Sequence, residues 1–329
     1  MVTRKSPNKA QLRAVISKHF ASVMRDARVV HHHCNTHVYV TLEDDTRVVI
    51  RICDGPWWTE KPDKIAKFKR ERFAWDMFQQ IDDIMTPQVI AIETDEALLP
   101  YPFLIMTHVP GRPMWEVFST LPQGEQIRLL EELGAVARSI HALPMPEVIP
   151  DEARDWGRLS DHLRGNPQVL ASRGLMTSGA HDRLERILSA CSQRLAAMDE
   201  DIVFLHGDLH FGNILLEQDN GRWRISGLVD AELAGIGPRG RELTALEQFS
   251  FRDLRVPGIR EAFLRGYGDG YGRDDYKLAY LVSELDPDFL NMELLRLIES
   301  TDLQEGLDWL DIFTHPPSNE PDSARPSNG

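Results

Sequence analysis

The chain has 329 residues, with 37 Lys and Arg against 51 Asp and Glu and a formal net charge of -14. That balance argues against nucleic acid and anionic membrane surfaces as partners, and the length exceeds what one hydrophobic core normally serves, so two lobes are expected. Cys34, Cys53 and Cys191 form no CxxC pair and no apolar run approaches membrane-spanning length, which points to a cytoplasmic protein with neither a disulfide framework nor a structural zinc site.

Residues 10–24 place Leu12, Val15, Ile16 and Phe20 at the spacing of a short amphipathic helix. Residues 38–40 and 48–52 then read as a hairpin about the Glu43-Asp44-Asp45 turn, with Arg51 set inside the second apolar strand. His31, His33, Cys34 and His37 precede that hairpin. They are possible metal ligands, but adjacent histidines on an extended segment point to opposite sides, so a solvated loop is the preferred reading.

Residues 64–81 read as a helix with Phe68, Ala74, Trp75, Met77, Phe78 and Ile81 on its buried side. Glu71 falls on that apolar face, where a carboxylate needs a cation, and Arg51 is the natural partner. A rim glutamate paired with Lys67 or Arg70 is the alternative. Residues 86–90 and 102–111 suggest another strand pair. Residues 123–143 form an amphipathic helix with His141 at its end in a structural role, residues 150–180 are polar and rich in turns, and residues 181–198 make one further helix.

That helix leads to the apolar residues 202–205 and then to His206-Gly207-Asp208-Leu209-His210-Phe211-Gly212-Asn213-Ile214-Leu215. Asn220-Gly221 marks a tight hairpin, and Leu228-Val229 deliver Asp230 behind it. Phosphoryl transfer needs an acid to accept the proton of the attacking hydroxyl and oxygen ligands to hold a metal. His-x-Asp-x-x-x-x-Asn is the catalytic-loop spacing of kinases, with Gly207 where protein kinases carry Arg. Asp208 is then the base, and Asn213 and Asp230 are the metal ligands. The bland alternative makes Asp208 and Asn213 turn residues and His206 a satisfied buried histidine.

This run, followed by Leu228-Val229-Asp230-Ala231-Glu232, resembles the aminoglycoside phosphotransferase and choline kinase family. The resemblance implies an α+β, two-lobed protein-kinase-like fold, with an N-terminal antiparallel sheet lobe and a larger, mainly helical C-terminal lobe. It implies transfer of the ATP γ-phosphate, with Mg2+, to a hydroxyl of a small, amine-bearing molecule. Residues 1–110 would be the nucleotide-binding lobe, 111–313 the catalytic and substrate lobe, and 314–329 a disordered tail. Asn35 would belong to the phosphate-covering loop, although histidines replace the glycines expected there. Arg51 would take the place of the usual phosphate-binding lysine, Glu71 would orient it, and the backbone from Thr107 to Val109 would pair with adenine.

The family usually carries Pro at the Phe211 position, a departure expected to be harmless. Gly235-Ile236-Gly237-Pro238-Arg239-Gly240 matches a dinucleotide-binding string, but its proline removes a donor; the resemblance makes it the glycine-rich turn before a structural acid, here Glu242. Among the C-terminal acids, Glu284, Asp286 and Asp288 would line a cleft for a cationic acceptor. A protein kinase is disfavoured because no Ala-Pro-Glu element follows Asp230. A non-catalytic pseudokinase is disfavoured by the intact Asp208, Asn213 and Asp230.

Overall fold

The computed structural model describes residues 6–31, 35–55, 61–145, 154–252, 254, 256–268, 272–300 and 307–314. Five antiparallel strands make the N-terminal sheet: β1 (Met24–His31), β2 (Thr36–Leu42), β3 (Arg47–Ile52), β4 (Val89–Glu93) and β5 (Phe103–Thr107), in the order β1-β2-β3-β5-β4. The expected hairpin is therefore three-stranded, because β1 carries the chain from Met24 as far as His31.

The two-residue period of β3 decides what lies on each face. Val48, Ile50 and Ile52 pack with Leu12, Val15 and Ile16 of helix α1 (Lys9–His19). Val49 points the other way, into a cluster with Phe68 of helix α2 (Lys61–Phe78), Leu104 and Met106. Arg51 shares the Val49 face and so meets α2 as well. Helix α1 stops at His19 rather than running to residue 24.

The C-terminal part begins with β6 (Arg112–Pro113), α3 (Met114–Val117) and α4 (Gln123–His141), and continues through β7 (Arg154–Asp155), α5 (Leu159–Ser172), α6 (Ser178–Ala190) and α7 (Ser192–Glu200). Then follow β8 (Ile202–Leu205), β9 (Ile214–Asp219), β10 (Arg222–Leu228), β11 (Gly235–Pro238), α8 (Glu242–Leu246), α9 (Ile259–Tyr267), α10 (Arg273–Glu284), α11 (Met292–Glu299) and α12 (Asp311–Thr314). Helices α4 and α9 cross so closely that a Cβ on Gly266 would fall 1.7 Å from the Glu131 carbonyl oxygen.

Two expectations are corrected. The turn-rich reading of residues 150–180 gives way to α5, whose Leu159, Leu163, Pro167 and Leu170 are buried at helical spacing although Pro167 breaks one hydrogen bond of the ladder. The single helix over residues 181–198 is two, α6 and α7, separated at Cys191. The glycine-rich string at 235–240 is mostly a strand: β11 pairs antiparallel with β8, Gly237 opposite Val203, so it offers no phosphate loop. His141 is structural, donating or accepting at Tyr267 Oη over 2.8 Å and lying 3.5 Å from Glu242. Among the described residues no helix is long and apolar enough to cross a membrane.

Candidate active site

Strand β8 ends at Leu205, and the chain turns through His206 and Gly207 before β9 begins. Gly207 has φ +79, and a Cβ there would meet the Leu233 carbonyl oxygen at 2.2 Å. Only glycine fits both requirements. The buried Glu242 holds the turn by accepting from the amides of His206 (2.7 Å) and Gly207 (3.0 Å), which gives the expected structural acid a definite task. His206 is fully buried and stacks on Phe78 with ring centroids 5.6 Å apart; burial pushes its pKa down, so it stays neutral.

Phe211 is more than a harmless replacement. Its amide donates to Ser250 Oγ over 2.9 Å, a bond that proline cannot make, and its ring packs between Phe118 and Phe251. The loop is thereby pinned to the helical core on both sides of Asp208.

The Asn213 amide group donates to the Asp208 carbonyl oxygen over 2.9 Å and to Asp208 Oδ2 over 3.2 Å. With its nitrogen spent in this way, Asn213 has its side-chain oxygen left for a cation. The Asn213 carbonyl oxygen accepts from Val229 N over 3.0 Å, which brings the end of the β9–β10 hairpin, and Asp230 after it, against the loop. The hairpin turn has positive φ at Asn220 and Gly221, as the Asn-Gly pair predicts. Asp230 itself has φ +64, an uncommon conformation for a non-glycine residue.

The two acids differ in charge state. Burial raises the pKa of Asp208 to about 7, with the negative charge of Asp230 adding to the effect and the Asn213 hydrogen bond opposing it. Burial acts on Asp230 as well, but Arg51, His37 and Lys67 outweigh it and hold the carboxyl down at about 2.

Arg51 and Glu71 meet as expected. Arg51 Nη1 lies 2.8 Å from Glu71 Oε1 and 3.0 Å from Asp230 Oδ1, while its Nη2 pairs with Glu232. Burial penalises the guanidinium, and the carboxylates of Asp230 and Glu71 more than restore its charge. Trp75 Nε1 donates to Glu71 as well, over 3.3 Å. The alternative partners of Glu71 turn elsewhere: Lys67 Nζ lies 2.5 Å from Glu232, and Arg70 donates to the Glu232 carbonyl oxygen.

Asn35 is buried and its amide nitrogen reaches Glu232 over 3.3 Å, which joins the start of β2 to this cluster. His33 and Cys34 lie outside the described residues, and His31 is bonded to Thr36 and Ser6. In the linker, the amides of Thr107 and His108 donate to Gln88 and Arg47.

Sequence reasoning missed Glu232 and Lys67. Glu232 stands two residues beyond Asp230, and that second acid was the signal. It misread Glu284 too: this carboxylate is not on a solvated cleft wall but fully buried, bonded to Arg252 Nη2 at 2.8 Å and Asn291 Nδ2 at 2.7 Å. Asp288 is exposed and paired with Arg173.

The donor set suits a small hard dication. Asn213 and Asp230 offer oxygen only, and Asp230 stays ionised down to low pH. Among the described residues no group of three or more His, Cys, Asp or Glu gathers into a metal centre, so a cation held here would rest on these few oxygens and on its co-ligands.

Residues 27–277 match the model of a phosphotransferase enzyme family. This chain belongs to that family. An aminoglycoside 3'-phosphotransferase of Streptomyces fradiae is 26% identical over 238 residues, which cover 66% of this chain and 81% of the relative. A viomycin phosphotransferase of Streptomyces vinaceus is 28% identical over 206 residues, covering 56% and 66%. Among solved structures, a macrolide 2'-phosphotransferase of Brachybacterium faecium superposes with a TM-score of 0.55 at 18% identity, over 83% of this chain and 86% of that one. A spectinomycin phosphotransferase in complex with ADP and spectinomycin gives 0.55 at 15% identity, over 94% and 99%. The phosphotransferase therefore shares their kinase-like fold, an N-terminal antiparallel sheet set against a helical C-terminal part.

Proposed function

We propose that this phosphotransferase moves the γ-phosphate of ATP, with Mg2+, onto a hydroxyl of a small antibiotic-like molecule in the cytoplasm. One arrangement carries the reading: the Asn213 amide nitrogen holds the Asp208 carboxyl, the Val229–Asn213 backbone bond sets Asp230 against the same loop, and the two carboxyls are shifted apart, Asp208 up to about 7 and Asp230 down to about 2. Such a split assigns a base poised near neutral pH and a permanent anion for a cation. Asp208 takes the proton of the acceptor hydroxyl as that oxygen bonds to the γ-phosphorus and the bond to the β-phosphate oxygen breaks, releasing ADP.

Asn213 keeps the Asp208 carboxyl in place through its amide nitrogen. Asn213 and Asp230 would hold the magnesium ion, which when bound neutralises phosphate charge. Arg51, oriented by Glu71, would reach the α- and β-phosphates only by exchanging its present contacts with Asp230 and Glu232 for them. Asn35 would sit under the phosphate-covering loop, and the Thr107 carbonyl and Val109 amide would receive adenine. The boundary between the nucleotide lobe (residues 1–110) and the catalytic lobe (111–313) falls near Pro110.

The acceptor class is narrower than sequence alone suggests, since Glu284 cannot serve as a cation ligand from its buried position. Purified protein with Mg-ATP and a panel of aminoglycoside, peptide and macrolide antibiotics tests the reading. ADP release together with a product heavier by one phosphoryl group is expected for at least one alcohol. Failure to bind Mg-ATP would remove the proposal.

A further inference from the structure

Next to Asp208 the surface is aromatic. His210 Nε2 lies 3.7 Å from Asp208 Oδ2, the His210 ring packs on Phe249 with centroids 5.6 Å apart, and Phe249 meets Phe289 edge to face at 5.2 Å. Phe249 and Phe289 are 50% and 42% exposed, so the row of rings is open to solvent along its outer length. Trp115, 60% exposed, stands beside Gly212, and Trp156 packs against Gly207. Rings thus approach the base from both glycines of its loop.

Two carboxylates behind this ledge, Glu247 and Glu284, are turned inward, while Asp288 beside Phe289 is exposed but paired with Arg173. Glu247, in the same π-helical turn as Phe249, is fully buried and bonded to Arg260 and Tyr276. Glu284 is taken by Arg252 and Asn291. A π-turn widens a helix by one residue and is a common way to present a side chain at a functional site; here it lifts Phe249 outward while Glu247 stays inside.

Exposed aromatics in a contiguous row are costly to leave in water and mark a binding surface. We infer that the His210–Phe249–Phe289 ledge seats the acceptor, and that the acceptor is an uncharged or singly charged alcohol with an extended apolar face rather than a polycation. This rests on Asp208 being the phosphotransfer base. The apolar face of the acceptor lies on the rings, and its hydroxyl projects past His210 to the Asp208 carboxylate.

The test uses the full chain with Mg-ATP, erythromycin as the apolar, singly charged probe and kanamycin as the polycationic one. Turnover of erythromycin is expected to exceed that of kanamycin. Phe249→Ala and Phe289→Ala are each expected to raise the erythromycin KM about tenfold, as loss of a buried ring contact does, with the KM for ATP unmoved. Kanamycin as the better substrate, with a KM that both variants leave unchanged and that rises with salt, overturns the inference while sparing the kinase reading. Should no alcohol be phosphorylated, erythromycin binding measured by calorimetry still decides. Binding weakened in both phenylalanine variants supports the ledge, and no binding refutes it.

Discussion

Arg51 on β3 and Asp230 beyond β10 form an ion pair of 3.0 Å, and the same guanidinium nitrogen holds Glu71 at 2.8 Å. One buried cation therefore neutralises an acid on α2 and an acid on the catalytic loop side. Removing it takes from the buried Glu71 its hydrogen-bonded cation and leaves only the weaker influence of Lys67. Arg51→Ala is expected to lower stability by about 3–5 kcal/mol, the usual cost of breaking a buried pair. Glu71→Gln alone should cost less, and adding it to Arg51→Ala should restore part of the loss. Denaturant unfolding of the three variants checks this; additive losses would show that the pair is not coupled.

Asp208→Asn should keep nucleotide binding and lose about two or more decades of turnover, because positioned base catalysis supplies roughly that much. The same change has an opposite effect on stability. The folded pKa of about 7 lies above the ordinary 3.8, so the favourable contribution is present below pH 3.8 and is lost as pH rises through 7. Without magnesium, Asp208→Asn should melt about 1–3 °C above the parent at pH 8, with the gap closing towards pH 4. A variant that melts lower at pH 8 would contradict the burial argument.

Asp230→Ala should abolish the magnesium dependence of nucleotide binding, since a small hard dication has few protein oxygens here to spare. Calorimetric titration with Mg-ATP is the measurement. An unchanged affinity in the variant would take the metal away from Asp230.

Glu242 supports the turn before Asp208 through two backbone amides, and Glu242→Ala would leave both unpaired, at a cost of about 1–3 kcal/mol for the buried His206 amide and less for the half-buried Gly207 amide. Glu242→Gln retains one acceptor and should fall between. Although burial opposes it, hydrogen bonding and charge from His141 hold the Glu242 pKa below its ordinary value. The stabilisation is therefore present above about pH 4.5 and lost as pH falls through the lowered pKa. Thermal melts of the Gln variant from pH 7 to 3 should accordingly be flatter than those of the parent.

The placement of the candidate site residues was legible where it depends on local spacing. His206, Asp208 and Asn213 lie on one loop, and Asn220-Gly221 sets the hairpin that returns Asp230, so no long-range knowledge was needed. Arg51 with Glu71 was legible because a charge on each of two apolar faces demands a partner. Glu232 and Lys67 were not, since their meeting depends on how α2 lies over the catalytic loop. The burial of Glu284 was hidden for a similar reason: an acid on an amphipathic helix reads as solvated, and its partners Arg252 and Asn291 come from separate turns. In α5, the polar, turn-rich composition outweighed the apolar spacing that tertiary packing in fact exploits.

The forked contact of Arg51 with Glu71, Asp230 and Glu232 also bears on how the sequence can drift. A lysine has a single nitrogen and cannot span all three acids from one fixed position. Exchange of Arg51 for lysine would release Glu232 from one of its two cations and leave Lys67 as its cation beside the Asn35 amide. Positions 51 and 232 should therefore vary together among descendants of this chain, with an arginine at the first tolerating, and a lysine relaxing, the demand for an acid at the second.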